Sequence, residues 1–204
     1  MNNYILGSHN SWSYLPPKHW WLRPFTFMAR CQSADVKTQY EKYGVRCFDL
    51  RILYDSHGQS YIAHGFMKYK YSYGDLLDDL QWLNDKKDCY IRVLHEARRK
   101  SQYTNQSRTL FRSYCLFFVT KYQNIHWWCG RNLYNWEYDY DFTVSTNSVG
   151  GFPEPTCEEN YSSVMPPKWL DDWFPWLYAK LNNRKIISKG TDKDILLIDF
   201  VNTK

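Results

Sequence analysis

Short apolar runs alternate with helical stripes along the chain. Tyr4–Leu6 reads as a first strand, and Ser33-Ala34-Asp35 predicts a helix start, with the helix running to Tyr43 before Gly44 ends it. Cys47–Leu53 and the shorter Tyr61–Ala63 follow as strands. Within Gly74–Asn84, Leu76, Leu77, Leu80 and Leu83 fall at i, i+1, i+4 and i+7, one face of a helix. Cys89–Leu94 is the next strand. Thr104–Tyr122 returns to helical spacing through Leu110, Phe111, Tyr114, Cys115 and Phe118. Ile125–Trp128 and Asp141–Ser145 are weaker strand signals, with Trp127 and Trp128 in a strand interior. Pro166-Pro167 precedes an aromatic helix over Trp169–Leu181, with Trp173 and Trp176 expected to face the core. Ile195–Val201 is the last and most apolar strand.

This βαβα order predicts an α/β fold with a parallel sheet covered by helices, either a barrel or a doubly wound sheet. The stretch from Cys129 to Pro167, with Gly150-Gly151, gives no clear element pattern. No repeat, low-complexity tract or linker divides the chain, so residues 1–204 read as a single domain.

In parallel α/β folds chemistry gathers where strands run into loops. The first strand ends in Gly7-Ser8-His9-Asn10-Ser11, the third in His64-Gly65, the fourth in His95-Glu96 and the last in Asp199. The second carries Asp49 and Arg51, whose i, i+2 spacing sets both on one face. Singly, each has an ordinary structural reading, and Asp49 with Arg51 also fits a buried ion pair. Together they would converge on one mouth. Two imidazoles facing across a fixed arginine suit phosphodiester chemistry. One His removes a proton from an attacking hydroxyl, and the other protonates the leaving oxygen. A guanidinium stabilises the growing phosphoryl charge.

Composition narrows this picture. Aromatics make up 19% of the 204 residues, more than core packing calls for, so some rings are expected on a working surface. A formal charge of +5 without a long Lys/Arg block favours an anionic partner, and no nucleic-acid motif is present. The six cysteines form no CxxC pair, which argues against a zinc knuckle, and Cys47 and Cys89 read as buried thiols. No signal peptide or bilayer-length apolar stretch is visible, so a cytoplasmic protein, or a secreted one with its leader removed, is expected.

The segments GSHNS, CQSADVKTQYEKYGVRCFDLRI and YIAHGF, then more loosely CYIRVLHEARR and ILLIDFV, resemble the catalytic domain of phosphatidylinositol-specific phospholipase C, above all its compact bacterial form. The resemblance covers the first half of the chain well and the second half only at its end. It implies a distorted, small TIM-type barrel that acts on a phospholipid substrate at a peripheral membrane surface, and a monomer is expected. It also implies metal-independent cleavage in which the inositol 2-hydroxyl attacks its own phosphate, releasing diacylglycerol and a cyclic inositol phosphate. By position His9 is the general base, His64 the general acid, Arg51 the phosphate-binding arginine and Asp199 the partner of His9.

Two departures stand out. Bacterial members carry Asp where this chain has Asn10, which is expected to support a hydrogen bond instead of a charge. His95-Glu96 stands where the bacterial type has inositol-contacting lysines, which makes His95, Glu96 and Asp49 the substrate-contacting candidates. Eukaryotic members bind calcium, but Arg51 falls where they have an acidic ligand, so no cofactor is expected. The loop with Lys18, Trp20, Trp21 and Arg23 has the composition of a membrane contact. A glycerophosphodiester phosphodiesterase is the neighbouring alternative, although Asp49-x-Arg51 lacks the acidic pair its metal needs. A catalytically weak lipid- or partner-binding barrel is the other.

Overall fold

The computed structural model describes residues 4–97, 102–132, 138–139, 170, 173–189 and 195–204. Its strands are β1 (Ile5–Ser8), β2 (Cys47–Tyr54), β3 (Ser60–His64), β4 (Met67–Lys68), β5 (Tyr90–Glu96), β6 (His126–Asn132), β7 (Tyr138–Asp139) and β8 (Ile195–Ile198). Its helices are α1 (Thr26–Ala29), α2 (Val36–Glu41), α3 (Tyr73–Lys86), α4 (Asn105–Lys121) and α5 (Pro175–Lys189). Six residues, Trp20–Phe25, form a 3-10 helix ahead of α1.

Local chemistry sets the helix ends. The Asp35 carboxylate caps α2 by accepting from Thr38 N–H, and Gly44, at φ +69°, turns the chain into β2. Ser72 and Asp75 make a reciprocal capping box at the start of α3, and Thr104 caps α4 through Ser107 N–H.

One mixed sheet holds all eight strands. Strands β8, β1, β2, β5 and β6 run parallel to their neighbours in that order, while β3, β4 and β7 pair antiparallel. The far edge of β2 is shared. Its first residues pair with β1, through Gly7↔Cys47 and Ser8↔Phe48, and its last with β3, through Ile52↔Ile62 to Tyr54↔Ser60. Where a closed barrel was expected, no ladder among the described residues joins β8 to β6 or β7.

Strand β2 is buried along its whole length, as a parallel strand covered on both faces requires. Its alternate residues divide between two packing regions. Phe48, Leu50, Ile52 and Tyr54 join Ile91 and Val93 of β5 and Trp127 and Cys129 of β6 in the main core. The buried stripes of α3 (Leu76, Leu80, Leu83) and α4 (Phe111, Cys115, Phe118) close that core, with Phe118 stacked on Trp127 at 5.7 Å between ring centroids. On the other face Cys47 packs with Ile195 and Leu197, and there Asp49 and Arg51 follow Cys47 along the strand.

The Asp141–Ser145 strand expectation and the start of the Trp169–Leu181 helix lie outside the described residues. Trp173 and Trp176 do not face the core: they are 55% and 46% exposed. The buried stripe of α5 runs through Pro175, Tyr178, Ala179, Asn182, Asn183 and Ile186, and Trp176 falls off that helical repeat. Trp127 and Trp128 are buried in β6, as expected. Cys31, Cys47, Cys89, Cys115 and Cys129 are all buried thiols.

Candidate active site

The chain crosses from β1 into the site through GSHNS, and each residue has a local reason. A Cβ on Gly7 would lie 2.3 Å from Leu197 Cδ2 and 3.1 Å from Cys47 Cβ, so glycine lets β1 sit between β8 and β2 without displacing either side chain. The Ser11 hydroxyl donates to Ser8 C=O at 2.9 Å and accepts from Asp49 N–H at 2.8 Å, which pins the turn to β2. Asn10 takes φ +44°, a left-handed conformation that asparagine tolerates well. Its backbone N–H donates to Asp49 Oδ2 at 2.9 Å, while its buried side-chain amide has no hydrogen-bond partner among the described residues.

That turn delivers His9. Its Nδ1 lies 2.6 Å from Asp199 Oδ1 at the end of β8. Gln32 ties the two strand ends together, donating from Nε2 to His9 C=O and Ile198 C=O while its Oε1 accepts from Val201 N–H. His64, at the end of β3, meets His9 edge to face with ring centroids 5.5 Å apart and planes at 88°. The His64 Nδ1 is 3.0 Å from Ala29 C=O and 3.6 Å from Cys31 Sγ, so a carbonyl and a thiol, not Asn10, hold this ring.

Behind the imidazoles lies a buried charge cluster. Asp49 Oδ2 accepts from Arg51 Nε at 2.9 Å, and Asp49 Oδ1 accepts from Arg92 Nε at 3.1 Å. Glu96 reaches from β5 to both sides of the site. Its Oε1 accepts from Gly65 N–H at 2.8 Å, and its Oε2 is 3.6 Å from Arg51 Nη1. Gly65 has φ +56°, so the carboxylate anchors the turn that carries His64.

Burial and these cations govern the titrations. Burial first, then the Arg51 charge, lowers His9 to about 3 and His64 to about 4. His9 is therefore a neutral imidazole at pH 7, the form a general base needs. Burial raises Asp199 to about 7, against the pull of His64, a hydrogen bond from Cys31 and Arg51. Burial alone would raise Asp49, but Arg51 and then Arg92 outweigh it and hold the carboxyl well below the usual range.

The structure thus gathers His9, Asn10, Asp49, Arg51, His64, Glu96 and Asp199. It does not bring His95 to them. On β5, His95 alternates with Glu96 and turns to the helical face, stacking on Phe111 at 5.1 Å and meeting Tyr54 and Tyr103 edge-on. Asp49 is fully buried with both oxygens engaged by the arginines, which suits the ion-pair reading of this residue. Arg92, Cys31 and Gln32 were not singled out from the sequence. Arg92 had a signal, a cation two residues from Leu94 and four from Glu96 within an apolar strand. Cys31 and Gln32 lie in a loop, where spacing carries no such signal.

Exposed aromatics border the chain's first loop. Trp20 and Trp21 are 74% and 54% exposed, with Lys18 and Arg23 exposed beside them. Phe27 stacks on Phe174 at 5.9 Å, which brings this segment beside the start of α5, where Trp173, Trp176, Leu177 and Leu181 are also exposed. Lys180 extends over the Trp176 ring at 5.0 Å. Among the described residues no helix is long and apolar enough to cross a membrane.

No protein-family model and no curated protein sequence matches the chain. Solved structures do. Phosphatidylinositol-specific phospholipase C from Listeria monocytogenes aligns at a TM-score of 0.55 and 16% identity, over 98% of this chain and 89% of that one. A double-mutant form of the Staphylococcus aureus enzyme aligns at 0.61 and 15%, over 98% and 86%. Another S. aureus structure, concerned with modulation of membrane binding, aligns at 0.60 and 16%, over 96% and 85%. Over nearly its whole length, the chain resembles the bacterial phosphatidylinositol-specific phospholipases C and shares their fold.

Proposed function

We propose that this chain is a phosphatidylinositol-specific phospholipase C working by metal-independent acid-base catalysis. The observation that carries the reading is the edge-to-face His9–His64 pair, 5.5 Å apart, with the Arg51 charge acting on both rings. His9, oriented through Nδ1 by Asp199, takes the proton of the inositol 2-hydroxyl at Nε2. The freed oxygen attacks phosphorus, Arg51 stabilises the phosphoryl oxygens, and His64 gives a proton to the departing diacylglycerol oxygen. The products are diacylglycerol and a cyclic inositol phosphate. His64 is held neutral without substrate; the anionic phosphodiester raises its proton affinity, so it takes a proton from solvent and then passes that proton to the leaving oxygen. Asn10, with its buried amide unpartnered, offers a hydrogen bond to the substrate.

The donor set supports metal independence. A hard cation such as calcium needs several carboxylate or carbonyl oxygens. Here both Asp49 oxygens are held by arginines, and Glu96 bonds Gly65 N–H and faces Arg51. The parallel run β8-β1-β2-β5-β6, with His9 and Asp199 at adjacent strand ends, supports the distorted small TIM-type barrel. The exposed apolar side chains beside Trp20 and along α5 are the membrane-facing surface, with Lys18, Arg23 and Lys180 meeting anionic lipid.

The test is release of cyclic inositol phosphate from phosphatidylinositol vesicles, with and without EDTA, by wild type and His64→Ala. The reading predicts EDTA-resistant product that falls at least about 100-fold in the variant. Product that needs calcium or magnesium would point to glycerophosphodiester-type chemistry, and tight vesicle binding without any product would point to a binding barrel.

A further inference from the structure

We propose that His9, Cys31 and His64 form a site for a soft divalent cation, zinc foremost, whose occupancy shuts off the acid-base pair. Each of the three side chains offers a ligand atom within 4.8 Å of the other two. The closest edge already has metal-site dimensions. Cys31 Sγ and His64 Nδ1 are 3.6 Å apart. With Zn–S near 2.3 Å and Zn–N near 2.0–2.1 Å, a tetrahedral ion separates its sulfur and nitrogen ligands by about 3.6 Å. A small swing of the imidazoles closes the rest, and His64, only half-buried, leaves a way in from solvent.

The surroundings fit the same ion. Asp199 bonds His9 Nδ1 at 2.6 Å, the carboxylate–histidine arrangement that aims the other ring nitrogen at a metal. Cys31 is fixed by its backbone, since its N–H donates to Ser13 Oγ at 2.9 Å. The charge is favourable: Asp49, Glu96 and a Cys31 thiolate outnumber Arg51 and Arg92 around the site. Thiolate and imidazole select zinc over calcium or magnesium, which take oxygen ligands. Among the described residues this is the one group of three His, Cys, Asp or Glu side chains placed to hold an ion. The fourth position is left for water or an anionic phosphate. Zinc here occupies His9 Nε2, the nitrogen that takes the substrate proton, so it acts as an inhibitor that a chelator reverses. That consequence rests on the proposed phospholipase mechanism, whereas the binding itself does not.

The test uses the full chain, stripped with EDTA and titrated with Co²⁺ and then Zn²⁺. Wild type is expected to give a near-ultraviolet thiolate-to-cobalt charge-transfer band and tetrahedral visible bands at one equivalent, displaced by zinc. Cys31→Ser should lose the charge-transfer band and weaken zinc binding at least about 10–100-fold, the loss known for outer-shell partners alone. Should Cys31→Ser fail to fold, His64→Gln, at a half-buried position, must show the same weakening with the charge-transfer band shifted. No band in wild type, or unchanged affinity in the variant that folds, overturns the site. Absence of phosphatidylinositol cleavage, with cobalt still bound through Cys31, would sink the phospholipase reading and leave the metal site standing.

Discussion

Asp49→Asn is the perturbation whose cost the structure defines best. Asp49 is fully buried, bonds Arg51 and Arg92 through separate oxygens, and accepts Asn10 N–H besides. The asparagine keeps the shape but turns an N–H₂ toward one guanidinium and leaves two buried cations without their shared anion. Removing one partner of a buried ion pair costs about 3–5 kcal/mol. With a urea m-value of about 1–3 kcal/mol/M, the unfolding midpoint should fall by roughly 1–5 M. The loss should also depend on pH in a fixed direction. Because the folded state holds the Asp49 carboxyl below its ordinary value, its contribution is present above the unfolded pKa near 3.9 and disappears as pH falls through the folded pKa. The gap between wild type and variant is therefore expected to be full at pH 6 and to narrow progressively below about pH 4. A midpoint shift worth less than about 0.5 kcal/mol, the range of an ordinary surface substitution, would refute the account of Asp49 as the hub of the charge cluster.

Three further outcomes test other parts of the structure. Gly7→Ala should destabilise by about 1–3 kcal/mol in urea melts, since its methyl must displace Leu197 or Cys47. Glu96→Ala, which releases both Gly65 and Arg51, should lower kcat on the order of 10–100-fold with a smaller change in KM, while Glu96→Gln keeps the Gly65 bond and is milder. Trp20→Ala with Trp21→Ala should weaken sedimentation with phosphatidylinositol vesicles by roughly 100-fold or more, a large apolar side chain being worth about 1.5–3 kcal/mol when buried, yet leave turnover of a soluble inositol phosphodiester intact.

Much of this arrangement is legible in the chain itself. The apolar runs place β2, β5 and α3 within a residue or two, because their hydrophobic repeats are long and their caps explicit. His9 and Asp199 are brought together because the parallel strands β1 and β8 deliver their ends to one side of the sheet, whereas His64 arrives on antiparallel β3, which runs back along β2 toward Arg51. His95 shows the limit: one residue of register on β5 sends it to Phe111 while Glu96 goes to the site. Trp173 and Trp176 show another, since an aromatic helix start looks like core until the stripe through Tyr178 and Ile186 is known. Arg92 and Gln32 act through partners distant in sequence, Asp49 and Val201, and pairings of that range are set by tertiary packing alone.

In the proposed reaction the substrate's own hydroxyl is the nucleophile, with His9 as its base. The most direct measurement compares phosphatidylinositol with its 2-deoxy-inositol analogue in mixed vesicles containing EDTA, following phosphorus-31 resonances over time. The natural lipid should give a cyclic five-membered phosphodiester, and the analogue should not be cleaved. Cleavage of the 2-deoxy lipid at a comparable rate, giving an open-chain monoester, would mean that water attacks phosphorus and would contradict it.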